Sequence, residues 1–214
     1  LDQPVIVRYV KYMGGMLHGD MGVSYVSKTD VFDTYMEKLP ATIKLSFASI
    51  LVSILLSVPL GIYSATRQGT VQDNISMIVA MIGLSMPNFW LGLLLIIVFS
   101  LNLGWFPSGG DQTLSSIVLP AITIGTGLMA TLTRTTRSSM LDVLKQEYLR
   151  TARAKGIPEK IVITSHALRN ALIPIITIIG TQLAGVLGGS VLTETVFAWP
   201  GVGRLIVDSL NMRD

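Results

Sequence analysis

The chain has 214 residues and a formal charge of +3; half of its residues are hydrophobic, only 14% are charged, and none is cysteine. An average soluble domain carries roughly a quarter charged residues, so this composition excludes a disordered tail, a nucleic-acid-binding arm and a charged coiled coil. The lack of cysteine excludes a disulfide scaffold, a thiolate nucleophile and any Cys-ligated zinc or iron–sulfur site. A membrane protein or an unusually apolar soluble one is left, and the distribution of apolar residues decides between them.

In chain order, residues 1–40 read as two short amphipathic helices. Ile6, Val10, Met13 and Leu17 share one face, Gly19–Gly22 breaks the pattern, and Val31, Tyr35 and Leu39 resume it after Thr29 or Asp30 as N-cap. Long uncharged stretches follow at 45–65, 75–103, 117–133 and 171–193. A helix crosses about 30 Å of hydrocarbon with about 20 apolar residues, so each stretch predicts a membrane span. Pro59, Pro87, Pro120 and Pro174 lie within them. A proline frees a carbonyl that a neighbouring helix or water must satisfy, which predicts a bundle rather than separate anchors. Gly180, Ala184 and Gly188 stand at i+4 spacing, where small residues admit a close neighbour. With Pro87 and Asn88 they are the candidates for bundle packing, the expected role, or for lining a pathway.

Charge sorts the loops. Segment 134–170 holds Arg134, Arg137, Lys145, Arg150, Arg153, Lys155, Lys160 and Arg169, whereas the loop before Ile117 has no lysine or arginine. The positive-inside rule puts 134–170 in the cytoplasm and 1–44, 104–116 and 194–214 outside. The chain opens with Leu1, and its outer first segment has no signal peptide or span to carry it there, so an earlier span is expected.

Within the basic loop, Arg134–Lys155 predicts a helix with Met140, Leu144 and Tyr148 on one face. Gly156 suits its end, and Pro158-Glu159 opens a second helix through Ile161 and Leu168. A basic cluster alone would suit anionic lipid heads; the helix–glycine–helix plan suits docking of a cytoplasmic protein. His166 reads as a structural hydrogen-bonding residue. Beyond the last stretch, Pro200–Gly203 predicts a turn, followed by a short helix with Leu205, Ile206 and Leu210 on one face. Pro200, Gly201, Gly203 and Asp208 are the candidate outer gate.

No G-x-x-x-x-G-K-[ST] phosphate cradle occurs, so energy for any pumping must arrive through a partner. The competing readings are an intramembrane enzyme, which needs paired acids or histidine clusters in its spans, and a passive channel, which conducts without ATP.

Tyr148-Leu-Arg-Thr-Ala-Arg-Ala-Lys-Gly156, followed by His166-Ala-Leu-Arg-Asn-Ala-Leu-Ile-Pro174, resembles the cytoplasmic signature of ATP-binding-cassette (ABC) importer permeases, in particular the first-permease type of the dipeptide, oligopeptide and nickel branch. Further matches run in order through Leu1-Asp-Gln-Pro4, Gly19-Asp-Met-Gly-Val-Ser-Tyr25, Leu39-Pro-Ala-Thr42, Ser85-Met-Pro-Asn-Phe89, Glu194-Thr-Val-Phe-Ala-Trp-Pro-Gly-Val-Gly203 and Arg213-Asp214. The general signature has Glu-Ala-Ala six residues before its glycine. Here Arg150, Thr151 and Ala152 hold those places, and the sequence leaves open whether Glu147, one turn earlier, substitutes for the glutamate.

The resemblance implies an all-α, polytopic bundle of the type I ABC importer kind. Four of an expected six spans are present, the second to the fifth. It implies a second homologous permease, two cytoplasmic ATPases that use ATP and Mg, an extracytoplasmic binding protein, and a bacterial or archaeal cytoplasmic membrane. The chain itself would bind no cofactor, metal or nucleic acid. The ATPase-coupling loop would comprise Glu147, Arg150, Thr151, Ala152, Arg153, Ala154, Lys155, Gly156, His166, Arg169 and Asn170. Peptides, nickel chelates and glutathione are all carried by similar permeases.

Overall fold

The computed structural model describes residues 4–214, so Leu1-Asp-Gln of the first matching motif lies outside the described residues. Helix α1 (Val5–Leu17) follows Pro4 and leaves Val5, Ile6, Val10 and Leu17 exposed. The turn after it uses Gly19 and Gly22 at φ +83° and +85°, a region that side chains other than glycine seldom enter.

Asp30 caps α2 (Val31–Thr66) by accepting the Asp33 N–H, as the sequence predicts. The second amphipathic helix and the 45–65 span prove to be one helix of 36 residues running through Pro40 and Pro59. Each proline removes one ladder bond, yet the helix continues through both.

The 75–103 stretch is a correction of the opposite kind. It divides into α3 (Val71–Ser85) and α4 (Asn88–Leu95), bent by 96° and continued by a π-helical segment, Ile96–Asn102. Pro87 drives Met86 into extended backbone and stops the first helix.

A 3₁₀ turn, Leu114–Ile117, leads into α5 (Val118–Leu144), which runs well past the expected end at Thr133. The helix predicted over Arg134–Lys155 is therefore the end of α5 plus a separate α6 (Glu147–Ala154), broken where Gln146 is extended. The break resets the helical phase, so Leu149 is buried while the expected face residue Tyr148 is exposed. Next come α7 (Glu159–Ile161), a π-helical segment Val162–Ala167 and α8 (Leu168–Gly189), which together form one helical run. The 171–193 span ends at Gly189; after Ser190 come α9 (Val191–Val196) and α10 (Val202–Met212).

Among the described residues, three helical stretches are long and apolar enough to cross a membrane, and the bent α3–α4 pair makes a fourth if it is counted as one. Among them α2 and α5 pack most closely, through a seam of small polar residues. Ser46, Ser49, Ser53, Ser57 and Ser64 are buried on α2. A Cβ on Gly125 would meet the Ser49 carbonyl at 2.9 Å, and one on Gly61 would meet the Thr133 carbonyl at 2.9 Å. Ser46 and Ser49 satisfy their hydroxyls by donating to the Thr42 and Leu45 carbonyls at 2.8 Å, whereas the buried Ser53, Thr133 and Thr136 hydroxyls have no partner among the described residues. Apolar clusters lie at both ends: Leu132, Met140, Leu149 and Val162 at the end bearing Gly156, and Leu45, Ile124, Val186 and Trp199 toward the other.

The small-residue stripe of α8 faces outward in this chain. Gly180, Ala184 and Gly188 are exposed, and a Cβ on Gly180 or Gly188 would touch nothing within 4 Å. Helix α8 instead meets α5 through a different face, on which Ile175 and Val186 are buried and Gln182 donates to the Leu128 carbonyl.

Candidate functional site: coupling loop, cleft and a buried carboxylate

Gly156 takes φ +76°, and the N–H groups of Gly156 and Ile157 return to the carbonyls of Arg153 and Ala152 at 2.9 and 3.3 Å. This glycine-dependent cap ends α6 and aims the chain into α7. Leu149 and Ala152 seat α6 on the bundle, leaving Glu147, Arg150, Thr151, Arg153, Ala154 and Lys155 on exposed positions. Arg153 clamps the two helices across the turn, Nε to Glu159 Oε2 at 3.0 Å and Nη2 to Oε1 at 2.9 Å. That carboxylate raises the Arg153 pKa above its ordinary value. Both side chains are well exposed, so the clamp contributes about 1 kcal/mol at most.

Glu147 pairs with Arg150 at 3.0 Å on the open face. Asn170 Nδ2 donates to the Tyr148 hydroxyl at 2.9 Å and to the His166 carbonyl at 2.7 Å. His166 enters this contact through its backbone carbonyl, not its ring. Tyr148, Thr151, Lys155 and His166 line a shallow groove of about 320 Å³, and Arg169 stands exposed on the same helical run.

At the α3–α4 bend lies a cleft of about 330 Å³, lined by Asn88, Gly127, Leu128, Gln182, Val186 and Thr193 among others. Gly127 leaves room for the Asn88 side chain: a Cβ there would lie 2.7 Å from Asn88 Oδ1, and the amide would have to turn away. Gln182 Nε2 donates to the Leu128 carbonyl at 3.0 Å, while its Oε1 is buried without a partner among the described residues. Of the sequence candidates, Pro87 makes the bend and Asn88 lines the cleft. Gly180, Ala184 and Gly188 lie on the exposed stripe instead.

At the end of the bundle away from Gly156, Glu194 is fully buried. Its Oε1 accepts from the Thr42 hydroxyl at 2.9 Å and the Ser190 hydroxyl at 2.7 Å, and its Oε2 accepts from the Arg204 N–H at 3.0 Å. Thr42 Oγ1 accepts in turn from the Val202 N–H at 2.8 Å. Gly201, the N-cap of α10, has no side chain to cap with, so Thr42 and Glu194 satisfy the first turn of that helix. The glycines make room: a Cβ on Gly201 would overlap the Glu194 carboxylate, and one on Gly203 would lie 2.7 Å from Val191 Cα. Trp199, also buried, donates its indole N–H to the Ala41 carbonyl at 2.9 Å. Leu39–Thr42 and Glu194–Gly203, distant in sequence, are one assembly.

The expected apolar face of α10 is largely open, with Ile206 and Leu210 exposed. Pro200 lies in the turn before α10, and Asp208 faces Arg204 at 3.6 Å on its exposed side. Asp214 accepts from the Ser24 hydroxyl and, at 2.6 Å, from the Tyr25 N–H, which closes the Gly19–Tyr25 turn against the end of α10. The Ser24 hydroxyl, then the backbone N–H groups of Tyr25 and Val26, hold the Asp214 carboxyl below the usual carboxylate range.

Sequence reasoning gave no role to Glu194, beyond its place in a matching motif, or to Asp73. The available signal was an acid at the border of a long apolar stretch, where an uncompensated charge is costly and a built set of partners is expected.

A bundle with a broken span, a half-polar cleft at the break and an exposed helix–glycine–helix loop has the architecture of a transport permease. Residues 57–214 match the family described as binding-protein-dependent transport system inner membrane component, and the chain belongs to that family. It is a multi-pass membrane protein, the permease component of an ABC importer, as the motif resemblance implies. It is 47% identical to the oligopeptide transport system permease protein AppB of Bacillus subtilis, over all of this chain and 71% of that one. To the glutathione transport system permease protein GsiC of Escherichia coli K12 it is 42% identical, over all of this chain and 70% of that one. The fold is shared with the MetNI methionine ABC transporter in inward-facing form, at TM-score 0.65 and 20% identity over 82% of this chain and 79% of that one. An amino acid ABC transporter superposes at TM-score 0.59 and 13% identity, over 98% of this chain and 85% of that one.

Proposed function

We propose that this permease forms a translocation pathway with a second, homologous permease in the cytoplasmic membrane, and that the pair imports peptides or a peptide-like solute such as glutathione. An extracytoplasmic binding protein delivers the substrate. Two cytoplasmic ATPases that use ATP and Mg supply the energy, and the loop around Gly156 receives their motion. The α6–Gly156–α7 turn carries this reading: its exposed face is held rigid from below by Leu149 and Ala152 and across the turn by Arg153–Glu159. Glu147, Arg150, Thr151, Arg153, Ala154, Lys155, His166, Arg169 and Asn170 make up the docking face and its support. Asn88 and the α3–α4 bend at Pro87 belong to the pathway. The exposed Gly180–Ala184–Gly188 stripe meets the second permease. The Pro200–Gly203 turn and α10, with Asp208, close the outer mouth.

Reconstitution of the complete transporter in vesicles tests the reading. Binding-protein-dependent uptake of a labelled peptide is expected with ATP and absent without it. Uptake that is equal without ATP would turn the reading into a channel. Substitution of Gly156 by proline, which cannot take φ +76°, is expected to abolish uptake while the subunit stays in the membrane; normal uptake by that variant would overturn the coupling role of the loop.

A further inference from the structure

The α2–α3 turn is tied to α5 by one carboxylate. Asp73, only 2% exposed, sits in the first turn of α3. Its Oδ1 accepts from Arg137 Nε at 2.8 Å and from the Ser64 hydroxyl at 2.5 Å. Its Oδ2 accepts from Arg137 Nη2 at 2.6 Å and from the Gly69 N–H at 3.0 Å. The end of α2, the turn, the start of α3 and the lower part of α5 therefore meet at a single side chain. The guanidinium fork is bidentate, a geometry that restricts rotation as well as distance. This is far more than the turn needs for its own closure, because Thr70 already caps α3 by accepting from the Asp73 N–H.

The pair stands between the coupling loop and the cleft. Below Arg137, α5 ends at Leu144, and only Lys145 and Gln146 separate it from α6. Above the pair, two antiparallel arms rise to the cleft. From Asp73 to Leu84 on α3 is about 16 Å of helix, and from Arg137 to Gly127 on α5 about 15 Å, at 1.5 Å per residue. The arms meet again at the top, where a Cβ on Gly83 would lie against the Thr126 carbonyl and Gly127 admits Asn88. Leu84 and Asn88 line the cleft from one arm, and Gly127 and Leu128 from the other. Two arms of nearly equal length, pinned at both ends, move as one body; with the lower pin removed, a displacement at α6 moves α5 and leaves α3 behind.

We propose that Asp73 and Arg137 are positioning residues of transport, which bind α3 to α5 so that displacement of the coupling loop reaches both walls of the cleft together. This rests on the reading of the loop as the receiver of ATPase motion.

The test uses the complete transporter in vesicles, with peptide uptake and ATP hydrolysis measured on the same preparations, and assembly scored by co-purification of the ATPase subunits. Asp73→Asn removes the charge, and Arg137→Lys keeps the charge but loses the fork. Both are expected to assemble and to hydrolyse ATP, while the ATP consumed per peptide imported rises about tenfold, within the range by which single residues alter coupling between sites. This chain has no cysteine, so Asp73→Cys/Arg137→Cys can be bridged by a short bifunctional thiol reagent, with the ratio measured before and after. Recovery on bridging is expected, and this comparison within one preparation also decides the matter if the single variants assemble poorly. Uptake and hydrolysis falling in proportion, or a ratio unmoved by bridging, would reduce the pair to structural support. A wild-type transporter without ATP-driven uptake would instead overturn the proposed function itself.

Discussion

Two buried carboxylates of this permease, Asp73 and Glu194, solve one problem by different means. Each fastens a helix start to a distant helix at the border of the apolar layer. Asp73 does so with a cation, whereas Glu194 has no salt-bridge partner among the described residues and is held by two hydroxyls and a backbone N–H at the start of α10. A buried carboxyl group without a counter-ion is costly in an apolar medium unless hydrogen-bond donors converge on it. At Glu194 the convergence comes from Thr42, Ser190 and Arg204, with Gly201 and Gly203 clearing the space. The Asp73 arrangement fixes direction through a rigid fork. The Glu194 arrangement gathers three segments around one small group and relies on fit.

This contrast is broken most severely at Asp73. Asp73→Asn or Asp73→Ala strands the Arg137 guanidinium, whose side chain is only 26% exposed. Loss of one partner of a buried pair costs about 3–5 kcal/mol. Thermal unfolding of the detergent-solubilised protein should show a marked fall in midpoint for Asp73→Asn. The double variant Asp73→Asn/Arg137→Gln should recover most of it, because two amides can hydrogen-bond and no charge is left unpaired. A double variant no more stable than the single would show that charge is not what the pair contributes.

Glu194→Gln should cost less, about 1–3 kcal/mol. The new amide keeps an acceptor for Thr42 and Ser190, but its NH₂ must face the Arg204 N–H, so one donor meets another. No cation is stranded. The same unfolding measurement compares the two isosteric changes directly, and an equal or larger loss at Glu194 would reverse the ranking. Gly201→Ala, which puts a methyl where the carboxylate sits, belongs in the same range of about 1–3 kcal/mol for an overpacked site.

Much of this was legible before any coordinates. The apolar stretches announce the bundle, Asp30 announces a cap, and the position of Gly156 before Pro158 announces the end of a helix. What escaped has physical causes. Pro40 and Pro59 leave α2 intact while Pro87 breaks its span, and nothing in a proline's immediate neighbours separates those outcomes. The phase of α6 depends on where Gln146 leaves the helix, so Leu149 rather than Tyr148 turns inward. Arg137 reads as one more loop cation until α5 is known to carry it to within reach of Asp73. Thr42 and Glu194 lie 152 residues apart in the chain, and only the fold shows that the two motifs they end and begin are one structure.

The smallest expected effect concerns Asp214, a third carboxylate and the only one of the three in the open. It closes the Gly19–Tyr25 turn against α10 by accepting from Ser24 and Tyr25. Those bonds favour the ionised form, so its folded-state pKa lies below the unfolded value. A depressed carboxylate stabilises fully above the unfolded pKa, about 3.9, and the contribution is lost as pH falls from there through the folded value. Between pH 8 and pH 5 the clasp should therefore be constant, and it should loosen only in stronger acid. Maleimide labelling of Tyr25→Cys reads this: the rate of reaction, corrected for thiolate fraction, should be flat from pH 8 to pH 5. Asp214→Asn should raise that corrected rate across the range while leaving peptide uptake within about twofold, as befits an exposed contact. A rate that climbs already between pH 7 and pH 5 in the unsubstituted clasp would point to a different titrating group. An unchanged rate in Asp214→Asn would mean that the turn is held by α1 and the Val23–Asp30 bridge rather than by the carboxylate.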